Sequence, residues 1–492
     1  MVREAIRGGL QFFPARCLSR EMILGTANSL DFFLGRTVLE AQICRIGGKF
    51  VFEPLNSYQD ATIAASERNG YWTTFIEKTL DSNLISNVRE VEAKGKPFQL
   101  EKFFFASSHI LPDIEGKAIH DFQVGLGDSR GEACGKALME SLERYCCEKR
   151  PNDFLYACAA NLSDAFIDPN QLAQYLDYQL VFSKDLKNFS VDEEFFWTEI
   201  SDVDGRLYHI PAPHIWYCFS QSDFPDGRSL FWSSTNGASA HFSYEKAVLS
   251  AVREIIERDA IMIWWLNRLS PPIINRESLG RKLNSIIQKI EDQGFELQVL
   301  NLTLDLLPVC MVAARKRTME WPYFFCGAAC NSDFLVACEK ALAETEHAIW
   351  DRSGGNISKI DAEDLYYPID HELFYLDPEN GKFLDFLFNG LISHEIPTIE
   401  IGQSVLEANN YLKGKGFRLF LKDITCPEIK ESGIDMQVVK AVIPGLIPIT
   451  FGYLSEPLAL PRIYSLPHSL GLCEEPMTEE EILHNYQPHF FP

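Results

Sequence analysis

The chain has few positive charges and no long apolar run. Its 492 residues include 45 Lys and Arg against 69 Asp and Glu, a formal net charge of −24. Duplex DNA and anionic membranes are bound by clustered cations that displace counterions, so this balance excludes both as bulk partners. The longest apolar runs, Ala260 to Leu266 and Ala441 to Ile449, are far shorter than the roughly 18 residues of a membrane-spanning helix. Residues 1–17 lack the apolar core of a secretory signal, so we expect a cytoplasmic protein.

Several common motifs are also missing. The 13 cysteines are an odd number with no CxxC pair, which indicates reduced thiols rather than a disulfide framework or a zinc site. There is no GxxxxGK[ST] phosphate loop, kinase signature, GxGxxG after a strand, GxSxG elbow or HExxH helix. If the chain binds a nucleotide, it therefore does so through a metal ion held by carboxylates rather than through a phosphate loop.

The hydrophobic pattern indicates a layered α/β protein. From about residue 120, short strand-like runs alternate with strongly periodic helices. Residues 276–293 predict such a helix, and Gly294 and the strand-like 295–302 follow it. Residues 1–105 mix weaker helical and strand-like patches. We predict that they form an N-terminal lobe, and that residues 106–492 form the main domain.

A short motif occurs three times in helical context. Residues 137–144 and 251–258 both read AxxExxER, and residues 341–347 read AxxExxH. Residues three apart share a helix face, so each full copy places two carboxylates side by side. The small Ala three residues before each pair would let another helix or a ligand approach closely.

These carboxylates predict a cation site. Acidic groups that converge from two helices repel one another unless a cation lies between them, and an all-oxygen ligand set suits Mg²⁺ or Ca²⁺. Mg²⁺ usually arrives with a nucleotide phosphate, for which Arg144 and Arg258 are suitable partners. The alternative is a set of solvated helix faces with ordinary Glu–Arg pairs, but three spaced copies favour a site. The predicted metal ligands are Glu140, Glu143, Glu254 and Glu257.

These motifs, in this order, resemble the YcaO family of ATP-dependent enzymes that modify peptide backbones. The family's GKG segment, ExxER helix, SNG turn, ExxERD helix and ExxQ helix are matched by residues 125–127, 140–144, 235–237, 254–259 and 344–347. Residues 423–427, 442–446 and 485–492 look like the DxTxP segment, the VxxPGL segment and the proline-rich end of the azoline-forming branch. Leu126 stands where the family has Lys, and His347 where it has Gln.

The resemblance implies a YcaO-type α/β layered fold with carboxylate-bearing helices around an ATP and Mg²⁺ site. It implies a cyclodehydratase of natural-product biosynthesis, including bacteriocins and other antibiotics. Such an enzyme phosphorylates a backbone amide oxygen of a ribosomal precursor peptide after a Cys, Ser or Thr side chain has attacked the carbonyl, and a thiazoline or oxazoline results. It also implies catalytic roles for His489 and Pro492 in the C-terminal tail. The implied nucleotide-binding residues are Arg144, Arg258, Asn236, Glu344 and His347.

Relatives in this branch usually work in a multi-subunit complex. The implied partners are the precursor peptide, an E1-like leader-binding protein and, in some systems, a flavin-dependent azoline dehydrogenase, and residues 1–105 are a candidate docking lobe. Two alternatives stay open. One is a YcaO enzyme that makes thioamides or amidines with the same ATP chemistry, and the other is a catalytically inactive accessory subunit.

Overall fold

The computed structural model describes residues 43–46, 49–52, 70–91, 102–109 and 122–491, with short gaps at 150, 152–153, 163–164, 184, 218, 220, 232–233, 353–358 and 400–403. Much of the predicted N-terminal lobe and the predicted catalytic residue Pro492 therefore lie outside the described residues. None of the described helices is both long and apolar enough to cross a membrane.

The described strands belong to a hairpin and three antiparallel or mixed sheets. They are β1 (Ile43–Ile46), β2 (Lys49–Phe52), β3 (Ile85–Glu90), β4 (Phe103–His109), β5 (Gln123–Gly127), β6 (Leu155–Cys158), β7 (Glu194–Asp202), β8 (Leu207–Pro211), β9 (Ala238–His241), β10 (Ile273–Ile274), β11 (Phe295–Asn301), β12 (Val309–Lys316), β13 (Phe324–Cys330), β14 (Ile392–Ser393), β15 (Phe420–Asp423) and β16 (Gln437–Val442). The sheets have the orders β3-β4-β5, β13-β12-β11-β10-β14 and β6-β7-β15-β16-β9, with β8 added to β7.

Helices cover these sheets and separate them. They are α1 (Gly70–Asp81), α2 (Arg130–Glu148), α3 (Asp177–Phe182), α4 (Ala212–Ile215), α5 (Tyr244–Leu266), α6 (Gly280–Glu291), α7 (Phe334–Arg352), α8 (Pro368–Leu376), α9 (Val405–Gly414), α10 (Pro427–Glu431), α11 (Arg462–Ser469) and α12 (Glu479–His484). The predicted helix over 276–293 is confirmed as α6 with a short 3-10 turn before it, and the predicted α/β layered fold is confirmed as a whole.

Each copy of the repeated motif lies on a helix that follows a strand directly. The pairs are β5 with α2, β9 with α5, and β13 with α7. Serine side chains begin the first two helices: Ser129 accepts a hydrogen bond from the Glu132 N–H, and Ser243 accepts one from the Lys246 N–H. Such caps satisfy backbone donors that the first turn of a helix leaves unpaired.

Small residues let each strand lie directly on its helix. A Cβ atom added at Gly125 would lie 2.1 Å from the Ala133 carbonyl oxygen, and one at Gly327 would lie 2.4 Å from that of Ala341. Ala341 is the first residue of the third motif copy, and Ala137 of the first copy also lies against Gly125. The sequence predicts another helix or a ligand next to the motif alanines, but at Ala137 and Ala341 the neighbour is the preceding strand. This contact brings the carboxylates that follow close to that strand.

The predicted boundary at residue 105 falls inside β4. This strand pairs with β3 on one side and with β5 on the other, so one sheet contains residues from both sides of the boundary. α1 also packs against α2, because a Cβ at Gly135 would lie 1.9 Å from the Trp72 ring. A separate lobe stays a prediction for the undescribed residues before 70.

The largest hydrophobic core surrounds the second half of α5. Residues 260–266 are all buried there, together with strands β12 and β13 and the aromatic residues of the C-terminal tail. The motif glutamates Glu254 and Glu257 come directly before this buried run on the same helix. One helix therefore joins the centre of the core to the candidate site.

Candidate functional site

Helices α2, α5 and α7 bring five glutamates into one acidic cluster, which consists of Glu140, Glu143, Glu254, Glu257 and Glu344. Burial raises the pKa of Glu143 to about 8, and the negative charges of Glu254 and Glu140 add to the shift. Burial likewise raises the pKa of Glu257 to about 8, with contributions from Glu344 and Glu254. Charge interactions thus connect glutamates on all three helices. The structure brings the four predicted metal ligands together and adds Glu344.

The acidic cluster is deep but open to solvent. Protein atoms surround Glu344 closely enough to raise its pKa to about 7, yet its side chain is exposed, and the other four glutamates are half-buried. Groups that line a cleft combine these two properties, because solvent reaches them from one side only. The raised pKa values show that the effect of burial outweighs the opposing effect of the positive charges of Arg144 and Arg258.

Backbone N–H groups in, or directly before, strands β9 and β13 donate hydrogen bonds to four of these carboxylates. The first glutamate of a motif accepts from its own strand: Glu254 from Gly237, and Glu344 from Ala328 at 3.3 Å. The second glutamate accepts from the strand that leads into the next motif helix. Glu143 accepts from the Ala240 N–H at 2.7 Å, and Glu257 from the Cys330 N–H at 3.1 Å.

The two motif arginines lie beside the acidic cluster. Arg144 donates to the Thr235 hydroxyl and approaches Glu140 to 3.7 Å, which joins the first motif to the turn before α5. Arg258 lies 3.1 Å from Glu257, and its guanidinium group packs over the Phe491 ring. The Nε atom of Arg258 is buried without a hydrogen-bond partner among the described residues. Such an atom marks a place where an anionic ligand can complete the hydrogen bonding.

Asn236 and His347 take different positions. Asn236 lies in the turn before β9, next to Gly237 with φ +74°, and its amide donates to the Ile449 carbonyl at 2.6 Å. His347 occupies the place in its motif that Glu143 and Glu257 take in theirs. Its half-buried ring packs edge-on against Phe104 of β4, with ring centroids 4.4 Å apart. The side chain therefore contacts the first sheet.

The C-terminal tail is buried rather than frayed. The His489 ring is fully buried, donates from Nε2 to the Thr450 carbonyl at 2.7 Å, and stacks on His371 at 4.1 Å. Burial holds the pKa of His489 well below its usual value, and the positive Arg258 nearby acts in the same direction. This geometry gives the ring an anchoring function, and the catalytic function of His489 stays a prediction.

Lys440 is a site residue that the motifs do not indicate. It lies on β16 with 1% of its surface exposed, and its ammonium group donates to the Ser234 carbonyl at 3.0 Å. Burial lowers its pKa to about 8, while the carboxylates of Glu254 and Glu143 favour its charged form. A cation thus lies beside the acidic cluster, although Leu126 replaces the lysine of the family motif. The signal for Lys440 in the sequence was a single lysine within the otherwise apolar run 438–443.

Asp259, directly after the second motif, connects three segments. Both of its carboxylate oxygens accept from Arg462, and one of them also accepts from the Ile447 N–H at 2.8 Å. Arg462 binds Asp305 as well. The proline-glycine-leucine segment before Ile447 is thereby held against α5.

The donor chemistry of the acidic cluster fits Mg²⁺ carried by a nucleotide. Among the described residues, no three His, Cys, Asp or Glu side chains form a ready-made metal cage. Mg²⁺ does not require one, because it keeps several waters and is usually bound by one or two carboxylates together with substrate phosphates. Carboxylate oxygens from facing helices, with arginine donors beside them, meet this requirement.

Comparisons with known proteins indicate the fold and the family. An uncharacterized protein of Methanothermobacter thermautotrophicus is 28% identical over 244 residues, which are 48% of this chain and 59% of that protein. A heterocyclase in complex with substrate and cofactor is similar in structure, with a TM-score of 0.66 and 20% identity over 85% of this chain and 57% of that one. The YcaO protein of Methanopyrus kandleri, bound with AMPPCP and Mg²⁺, gives a TM-score of 0.54 and 17% identity over 76% of this chain and 91% of that one.

This chain thus spans less than two thirds of the first two proteins. The family model described as YcaO cyclodehydratase, ATP- and Mg²⁺-binding, matches residues 124–447, from β5 to the segment that Asp259 holds. Because this match extends over well more than half of the chain, the chain belongs to the YcaO family, whose cofactors are ATP and Mg²⁺.

Proposed function

We propose that this protein is an ATP-dependent peptide cyclodehydratase that converts Cys, Ser or Thr residues of a ribosomal precursor peptide to thiazolines or oxazolines. The observation that carries the proposal is the acidic cluster, which three helices build beside two arginines and a buried C-terminal tail. The fold similarity to a heterocyclase that binds a substrate and a cofactor supports the same chemistry.

In this proposal the acidic cluster binds the metal. Glu140, Glu143, Glu254 and Glu257 would hold Mg²⁺, with one or two of these carboxylates on each ion and water and phosphate oxygens completing its ligands. Bound Mg²⁺·ATP would supply the phosphoryl group that activates a peptide amide oxygen. The buried Nε of Arg258 is available to a phosphate oxygen, and the hydroxyl of Thr235 holds Arg144 in place.

The remaining proposed nucleotide-binding residues lie around these groups. Glu344 has the most exposed carboxylate of the acidic cluster, which suits contact with a ligand in the cleft. Asn236 shares its turn with the partner of Arg144. His347 supports the wall of the pocket through its contact with Phe104.

The tail supports the azoline-forming branch of the family. Its buried residues 489–491 run past Arg258, so that Phe491 and the proposed phosphate contact are close together. We propose that Pro492 acts on the peptide amide there, and that His489 anchors the tail for this purpose.

The proposed partners follow from the same chemistry. A precursor peptide is the substrate, an E1-like leader-binding protein presents it, and a flavin-dependent dehydrogenase can oxidise the product. Residues 1–105 are the proposed docking region. All described cysteines are free thiols, which supports a cytoplasmic location.

The test combines the purified chain with a candidate precursor peptide and its leader-binding partner. We expect ADP release together with the loss of one water per modified residue in the mass spectrum. Glu257→Gln should lower turnover at least about a hundredfold, because it weakens the metal site. The fold should be kept, because glutamine still accepts the hydrogen bond from the Cys330 N–H. Glu339→Gln is the matched control, because this glutamate is exposed on α7 and pairs with Lys282 away from the acidic cluster.

The outcomes separate the alternatives. Normal turnover by Glu257→Gln would disprove the metal assignment. Exchange of oxygen for sulfur in the peptide would indicate a thioamide-forming enzyme. No ADP release by the intact complex would indicate an accessory subunit.

A further inference from the structure

The last two described residues of the tail contact different parts of the molecule. Phe490 packs in the core, with ring centroids 5.0 Å from Trp265 and 5.6 Å from Phe324. Phe491 places its ring 4.4 Å below the guanidinium carbon of Arg258. Both side chains are almost fully buried. Phe490 therefore packs on aromatic residues of the core, whereas Phe491 packs on Arg258 of the second motif.

The contact with Phe491 leaves the donors of Arg258 available. An aromatic ring attracts a guanidinium group through its face, whereas the N–H groups point outward in the guanidinium plane. Stacking therefore fixes this plane without using its hydrogen bonds. In agreement, Nε of Arg258 is buried and has no hydrogen-bond partner among the described residues. Because the ring already restricts the Arg258 side chain, less conformational entropy is lost when a ligand binds to it.

Hydrogen bonds to the tail backbone fix the position of Phe491. The Trp265 indole donates to the Gln487 carbonyl at 2.9 Å, and the Tyr375 hydroxyl donates to the Pro488 carbonyl at 2.7 Å. The His371 Nδ1–H donates to the His489 carbonyl at 2.8 Å. Three successive carbonyl groups are thus held by the core, so the chain reaches Arg258 in one defined direction.

We propose that Phe491 is a positioning residue for Arg258, and that the C-terminal tail thereby sets the affinity of the site for nucleotide. The inference rests on the proposed function of Arg258 as a phosphate contact. It extends that function, because the tail would affect nucleotide binding as well as the reaction at the peptide amide. Without the ring the guanidinium plane is no longer held in place, and the ion pair that Arg258 already makes with Glu257, at 3.1 Å, then competes more strongly with phosphate for its donors.

The test measures binding of a non-hydrolysable ATP analogue with Mg²⁺ by calorimetry, with the thermal midpoint as a second readout. Phe491→Leu keeps the apolar side chain but removes the ring. We expect it to weaken binding about five- to thirtyfold, the range for a desolvated cation–π contact. Phe491→Tyr keeps the ring and should bind the analogue within about twofold of the unaltered chain.

Phe490→Leu is the matched control, because it removes a neighbouring ring that packs on the core. It should lower the thermal midpoint at least as much as Phe491→Leu does, with unchanged affinity for the analogue. Equal losses of affinity in the two variants would overturn the proposal, since loosening of the tail in general would then explain both.

Arg258→Met separates this inference from the proposed function. If Arg258 contacts phosphate and Phe491 positions it, Arg258→Met weakens binding and the addition of Phe491→Leu has no further effect. If Arg258→Met binds the analogue normally, the phosphate contact is disproved and the inference falls with it. If Arg258→Met binds weakly while Phe491→Leu binds normally, only the positioning function is disproved.

Discussion

The ion pair between Asp259 and Arg462 gives the sharpest stability prediction. Only 2% of the Asp259 side chain and 11% of the Arg462 side chain are exposed. Three hydrogen bonds join the guanidinium group to the Asp259 carboxylate, at 2.8 to 3.1 Å. Arg462→Met removes all three and leaves Asp259 with the Ile447 N–H among the partners described above.

The size of the effect follows from this uncompensated charge. Loss of one partner of a buried ion pair costs about 3–5 kcal/mol, because the other charge stays away from water. An unfolding entropy of about 2.1 cal/mol/K per residue gives about 1 kcal/mol/K for the 492 residues. The thermal midpoint of Arg462→Met should therefore be about 3–5 °C lower, provided that the chain unfolds in one transition.

Differential scanning calorimetry measures this shift, and two further variants test its cause. Arg462→Lys keeps the charge but not the paired geometry, and should recover only part of the loss. The double variant Asp259→Asn with Arg462→Met removes both charges, so it should be more stable than the sum of the single effects predicts. A midpoint within 1 °C of the unaltered chain for Arg462→Met, or strict additivity in the double variant, would refute the reasoning.

Two further predictions concern close packing and pH. Gly327→Ala should destabilise the fold by about 1–3 kcal/mol and so lower the thermal midpoint by about 1–3 °C, because its Cβ would lie 2.4 Å from the Ala341 carbonyl. Gly414→Ala at the end of α9 has open space and should be neutral or stabilising. Burial raises the pKa of Glu456 to about 8, so the folded state keeps a proton there that the unfolded state loses above its ordinary value near 4.5. Stability should then fall as pH rises from about 4.5 to 8. Glu456→Gln should weaken this dependence while still accepting from the Tyr486 hydroxyl. Part of it should remain, because burial also raises the pKa of Glu143 and Glu257 to about 8. Parallel midpoint–pH curves for the two proteins would contradict the prediction.

Local patterns predicted the α/β fold and the helices that carry the motifs. Helical spacing is a property of adjacent residues, so AxxExxER alone places two carboxylates on one face. The small motif alanines were expected to admit another helix or a ligand, whereas strands lie against two of them. In contrast, composition placed a domain boundary at residue 105, which falls inside β4. Composition does not show that β4 pairs with a strand on each side of this boundary.

The tail shows what a terminal sequence can hide. Its prolines matched a family pattern, but a run such as 485–492 is equally compatible with a loose end. Only the carbonyl groups held by Trp265, Tyr375 and His371 show that it is a buried element. Lys440 escaped attention for a related reason, since a lone lysine in a strand is usually exposed and here is buried.

By itself the sequence determined the family, the paired carboxylates on their helix faces and the excess of negative charge, because each of these depends on residue types and short spacings. Tertiary structure alone decided which strand holds which glutamate, that Asp259 meets an arginine 203 residues away, and that Phe491 lies beneath Arg258. These contacts depend on how sheets and helices pack, and packing depends on the whole chain.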